Sequence, residues 1–248
     1  MISDGVAELA AARAEVLGRI ARAGVRARRD PAGVTLVAVS KTVPADRVRT
    51  AVAAGLTVLG ENRVQEAAGK IPEVPGATWH LVGPLQSNKV RRALELFDVI
   101  ESVHDEALAS RLDGIARATL GRQRVPILLQ VNVDRDPAKA GFSPEGLEAA
   151  LERLDRLEAL DIRGLMTIGR LVADPEAARP TFVALRALSA WLRARWPRLG
   201  PELSMGMTDD YEVAVEEGAT IVRVGRALFG ERPAAGAPRA PGAARGRW

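Results

Sequence analysis

From residue 34 onward the chain repeats one pattern seven times in full and an eighth time in abbreviated form: a short apolar run, then a stretch of helix-forming composition. The strand candidates are 34–40, 57–59, 78–82, 99–102, 127–133, 162–167, 203–205 and 221–224. Between them lie helix candidates at 45–54, 63–71, 88–96, 105–119, 144–160, 175–196 and 209–217, and only 227–230 follows the last strand. Pro44, Pro144 and Pro175 stand where a first helical turn tolerates proline, and Gly55 and Gly218 stand where helices end. Eight strands alternating with helices over about 200 residues predict a parallel (β/α)8 barrel, the TIM barrel of the α/β class. An open doubly wound sheet uses the same alternation, but no GxGxxG follows the first strand. Residues 3–28 carry Val6, Leu9, Val16, Leu17 and Ile20 at helical spacing and add an amphipathic N-terminal helix. The expectation is one domain over residues 1–230, followed by a tail at 231–248.

The formal charge of +4 invites a nucleic-acid reading, but its position argues otherwise. Arg232, Arg239, Arg245 and Arg247 stand against Glu231 in an Ala/Pro/Gly-rich tail that reads as disordered, which leaves the body nearly neutral. Aromatic residues make up 4% of the chain, too few for a stacking platform, so no nucleic-acid partner is expected. No apolar run approaches the roughly 18 residues needed to span a bilayer, so no membrane is expected either. Residues 1–29 carry charges throughout, unlike a secretory leader. With no cysteine, thiolate nucleophiles and disulfides are excluded, and the cytoplasm is the expected compartment. His80 and His104 each lack a metal-ligand companion, so no metal is expected.

Four lysines (Lys41, Lys70, Lys89 and Lys139) stand among 35 basic residues. Arginine serves wherever charge alone is needed, so each lysine raises the question of amine chemistry, which a guanidinium cannot perform. In a (β/α)8 barrel the active face lies at the C-terminal ends of the strands. Lys41 follows strand one there, Glu61 and Asn62 follow strand two, and His80 lies in strand three. Asn132 and Thr167 end strands five and six, the segment from Ser204 through Met205 and Gly206 to Met207 ends strand seven, and Arg223 and Gly225 end strand eight.

Lys41 shares strand parity with Thr35, Val37 and Val39. Facing the lumen, its amine would sit among apolar walls that favour the neutral, nucleophilic form; facing out, it would be a snorkelling surface lysine. Ser204, Gly206 and Gly225 read either as a phosphate cup after strands seven and eight or as ordinary turn residues. Arg223, on an apolar strand, needs a partner: a bound cofactor, or a barrel carboxylate such as Glu61. His80 reads as a satisfied core histidine more readily than as a base.

The blocks VSKT (39–42), GENRVQE (60–66), WHLVGPLQSNK (79–89), KAG (139–141), RGLMT (163–167), LSMGMTDD (203–210) and VRVG (222–225) together resemble the pyridoxal 5'-phosphate (PLP) homeostasis proteins, the YggS/PROSC type. The resemblance runs from about residue 34 to 230. It implies a barrel like the N-terminal domain of alanine racemase, without that enzyme's second domain. It also implies PLP as cofactor, held as a Schiff base on Lys41. Ser204, with the backbone of Met205, Gly206, Gly225 and Arg226, would hold the phosphate. Arg223 would face the pyridine nitrogen, and Asn62 and His80 would line the ring pocket. Arg226 stands where the family often has a small hydroxyl residue. The implied role is PLP homeostasis and supply, with PLP-dependent apo-enzymes as the implied partners, without robust catalysis; the alternative is a PLP-dependent amino-acid racemase or lyase.

Overall fold

The computed structural model describes residues 2–119, 124–170 and 172–230. The expected tail, 231–248, lies outside the described residues. Eight parallel strands close into a barrel: β1 (Thr35–Val39), β2 (Val58–Glu61), β3 (Thr78–Leu81), β4 (Val99–Val103), β5 (Val125–Gln130), β6 (Leu160–Met166), β7 (Glu202–Ser204) and β8 (Ile221–Val224). Each pairs with the next in sequence, and β8 returns to β1 through four register pairs, Thr35–Ile221 to Ala38–Val224.

Helices α1 (Ile2–Arg26), α2 (Ala45–Ala53), α3 (Val64–Lys70), α4 (Val90–Leu96), α5 (Glu106–Thr119), α6 (Pro144–Asp155), α7 (Arg179–Arg193), α8 (Tyr211–Glu216) and α9 (Arg226–Phe229) form the outer layer. The largest departure from sequence expectation is at α6, which stops at Asp155 rather than running to 160. The leucine-rich run after it favours helix locally, but Leu160 pairs with Val125 in the sheet and the chain must turn beforehand. At the N-terminus, α1 ends at Arg26, two residues before Arg28 takes a left-handed φ of 54°.

The N-terminal helix has a structural task that its sequence does not announce. The last helix among the described residues, α9, has only four residues and cannot cover the β8–β1 face. Helix α1 packs against α8 on one side and α2 on the other, closing the ring where an eighth helix would stand. Leu9, Val16, Ile20 and Ala23 are buried along its inner face. Arg19 and Arg26 reach Glu212 and Glu216 on α8. The packing supplies most of the stabilisation, since exposed ion pairs contribute about 0–1 kcal/mol each.

Two apolar clusters follow from strand parity. The larger lies between the barrel and its helices; the smaller joins Val37, Val39, Val82, Leu128, Met166 and Ile221 from four strands and the end of β3. These alternate residues face the lumen, which is a packed interior rather than a pore. Gly60 belongs to the same face because a Cβ there would stand 2.8 Å from Val37 Cγ1. Above this layer the lumen becomes polar.

Candidate cofactor site

Five lumen-facing or strand-end groups form a buried chain. His80 Nδ1 lies 2.6 Å from Glu101 Oε1, and Ser204 Oγ donates to Glu101 Oε2 at 2.5 Å. Arg223 Nη1 donates to Ser204 Oγ at 2.6 Å, and its Nη2 donates to the Thr167 carbonyl at 2.7 Å. His80, Glu101, Ser204, Thr167 and Arg223 are all buried. Burial alone would push the Glu101 carboxyl up, but the hydrogen bond and charge of His80, the Arg223 guanidinium and the Ser204 hydroxyl outweigh it and hold it below its usual value. Burial pulls Arg223 down, while the charges of Glu101 and Asp210 act against that loss.

The carboxylate that answers Arg223 is therefore Glu101, not Glu61 as the sequence suggested. Glu61 has the parity of Leu59 and points out of the barrel toward α3, where Lys70 Nζ lies 2.5 Å from its Oε1. Glu101 was legible in principle: a lone acid inside Val99–Val103 must find cations if its side is buried.

Above the chain opens a cavity of about 330 Å³, within the range of small-molecule sites. Its lining includes Val39, Val82 and Ile168 as apolar walls, with Lys41, Asn62, Arg223, Gly225 and Arg226 between them. Met207, Thr208 and Asp209 supply the remaining side. Of the residues singled out from sequence, Lys41, Asn62, Arg223, Gly225 and Arg226 thus meet at one cavity. His80, Ser204, Met205 and Gly206 stand behind the lining. Val82 lines the wall two residues beyond His80. The Ser204 hydroxyl gives its one proton to Glu101. Arg226 forms an ion pair with Asp209, and the Gly225 N–H donates to Thr208 Oγ1 at 3.3 Å.

The loop after β7 is built to hold this wall. Gly206 adopts φ +90°, and a Cβ there would lie 2.5 Å from Ala214 Cβ and 2.9 Å from Tyr211 Cα. Buried Asp210 accepts the Met207 N–H at 2.6 Å, fixing the turn that presents Met207 and Thr208. Gly206→Ala should cost at least about 1–3 kcal/mol of stability from backbone strain. Urea unfolding checks this, and a variant with an unchanged midpoint would show that the loop relaxes freely.

The other lysines have defined surroundings. Lys70 is buried in the Glu61 pair. Lys139 Nζ donates to the carbonyls of Ile168 and Gly169, tying the loop after β5 to the loop that carries Ile168 into the cavity. Lys89 borders a second, polar cavity of about 550 Å³ beside Asn62. Among the described residues, no group of three acidic or histidine side chains comes together as a metal site. No helix among them is long and apolar enough to cross a membrane.

A family model for the N-terminal domain of alanine racemase matches residues 19–233. The pyridoxal phosphate homeostasis protein of Pseudomonas aeruginosa is 46% identical over 222 residues, 88% of this chain and 94% of the relative. The chain belongs to this family. The homologue of the same name from Aquifex aeolicus is 41% identical over 219 residues, 88% of this chain and 95% of its own. The structure of PipY from Synechococcus elongatus with PLP bound has a TM-score of 0.74 at 46% identity, covering 87% of this chain and all (100%) of that one. A lysine/ornithine decarboxylase from Vibrio vulnificus has a TM-score of 0.62 at 20% identity over 86% of this chain and 62% of its own, a likeness of fold alone.

Proposed function

We propose that the protein binds PLP in the 330 Å³ cavity, linked covalently through Lys41 Nζ, and serves PLP homeostasis rather than turnover of an amino acid. The observation that carries the reading is the lining: three cationic side chains, Lys41, Arg223 and Arg226, face one carboxylate, Asp209, across apolar walls. That set suits a flat, apolar-faced ring carrying an aldehyde and a dianionic phosphate. PLP bound there supplies an aldehyde for amine capture and a conjugated ring. Lys41 would provide the amine, Arg223 would meet the ring nitrogen, and the Gly225–Arg226 segment with Thr208 would hold the phosphate. Asn62 would flank the ring, with Ser204, Met205, Gly206 and His80 supporting the lining from behind.

A guanidinium at the ring nitrogen keeps that nitrogen unprotonated and weakens electron withdrawal, which favours carriage over carbanion chemistry. A racemase would also need a second base opposite Lys41. His80 is tied to Glu101 behind the lining. The chain's one tyrosine, Tyr211, is buried at the start of α8 beneath Arg19, whose guanidinium lies 5.3 Å from its ring centroid. The similarity to pyridoxal phosphate homeostasis proteins supports the homeostasis role. Delivery to PLP-dependent apo-enzymes in the cytoplasm completes the proposed role.

The purified protein incubated with PLP should show a yellow absorbance band, and borohydride reduction with peptide mass mapping should place a pyridoxyl adduct on Lys41. A colourless protein without adduct would sink the reading. Amino-acid racemisation or decarboxylation that depends on Lys41 would shift it to an enzyme.

A further inference from the structure

Lys41 sits in a strained turn. The Val43 N–H donates to the Ser40 carbonyl at 3.0 Å, so Lys41 and Thr42 are the two central residues. Thr42 has a φ of 66°, the left-handed position that turns usually give to glycine or asparagine. A β-branched residue there persists only when its surroundings over-determine the conformation.

Those surroundings come from behind the barrel. Buried Lys70 Nζ donates to the Ser40 carbonyl at 2.8 Å, on one side of Lys41. Glu66 Oε1 accepts the Thr42 N–H at 2.5 Å, on the other side. Lys70 Nζ also lies 3.1 Å from that same Glu66 oxygen and 2.5 Å from Glu61 Oε1. Ser40 Oγ donates to Glu61 Oε1 at 2.7 Å. Glu61 and Lys70 are both buried, and Glu61 Oε2 has no hydrogen-bond partner. An incompletely satisfied ion pair is a costly way to fill space between a strand and a helix, since well-packed apolar residues of similar size are often as stable or more so. Here its members grip the backbone immediately before and after the amine-bearing residue.

We propose that Lys70, Glu61 and Glu66 are positioning residues for Lys41: they hold the Ser40–Val43 turn in its strained form so that the amine enters the cavity in one geometry. The proposal rests on the reading of Lys41 as the PLP-linked residue. None of the three lines the cavity. They act through the backbone of residues 40–42 and set how tightly PLP is retained.

Two variants test this. Glu66→Ala removes the acceptor of the Thr42 N–H from a partly exposed position and leaves the Glu61–Lys70 pair in place. The double variant Glu61→Gln with Lys70→Met removes both buried charges together, so that neither is left uncompensated. Both should fold, show faster hydrogen exchange at the Val43 amide without PLP, and lose PLP on the order of tenfold faster on dilution, the scale of a lost charge-assisted hydrogen bond. Adding Thr42→Gly, which relieves the φ strain, should make the same changes matter less, so the effects would not add. Variants with wild-type Val43 exchange and wild-type PLP release would overturn the clamp. A wild-type protein that takes up no PLP, yet shows the exchange difference between variants, would overturn the reading of Lys41 and leave the turn support standing. If the double variant fails to fold, Glu66→Ala alone decides, by the same two readouts.

Discussion

Glu101→Ala should destabilise the protein by about 3–5 kcal/mol, the cost of stripping one partner from a buried charged network. The carboxylate stands between His80 and Ser204, with Arg223 Nη1 4.0 Å from its Oε2, and has no exposed surface. Removing it leaves Arg223 buried with a hydroxyl and a carbonyl as its hydrogen-bond partners, and leaves His80 without its acceptor. Such a loss is a large part of the roughly 5–15 kcal/mol by which a domain is stable. Urea unfolding measures it, and a loss below about 1 kcal/mol would mean that water or a shifted side chain replaces the carboxylate. The same group sets an acid limit. Its folded pKa is held below the ordinary value, so its stabilisation is present above the unfolded carboxylate pKa. That contribution is lost as pH falls through the depressed folded value. Glu101→Gln should therefore flatten the acid side of the stability profile, beyond lowering its height.

Lys41→Ala should abolish the yellow band and the borohydride-trapped adduct, while Lys41→Arg, which keeps the charge, should abolish them equally. A guanidinium stays protonated and cannot capture an aldehyde. The side chain is partly exposed at the cavity, so either change should leave stability within about 0.5 kcal/mol. Ligand retention is the sensitive measure. Arg223, Arg226 and the Gly225 segment remain, so equilibrium dialysis should still find weak, reversible PLP binding to both variants. An adduct of undiminished yield, relocated to Lys89 or Lys139, would show that the cavity amine is not the point of attachment.

The architecture and part of the cavity lining were legible before any tertiary contact was known. Alternating apolar runs and helices predict eight strands in order, and strand ends carry Lys41, Asn62, Arg223 and Gly225 to one rim because all parallel strands end on the same side, while Arg226 was legible only through the family resemblance. Local periodicity suffices for that. What it could not decide is which side chains meet across the lumen. Ser204 and Glu101 are separated by 103 positions, and they touch only because eight strands of a particular register close into a ring. The same closure sent Glu61 outward to Lys70 and made Glu101 the acid beside Arg223. It also gave α1 the place beside β8 and β1 that the four-residue α9 is too short to fill. Strand and helix propensities are properties of neighbours in sequence, so they fix elements and faces. Partner choice between distant buried charges is a property of the closed barrel, where an unpaired group has no water to turn to.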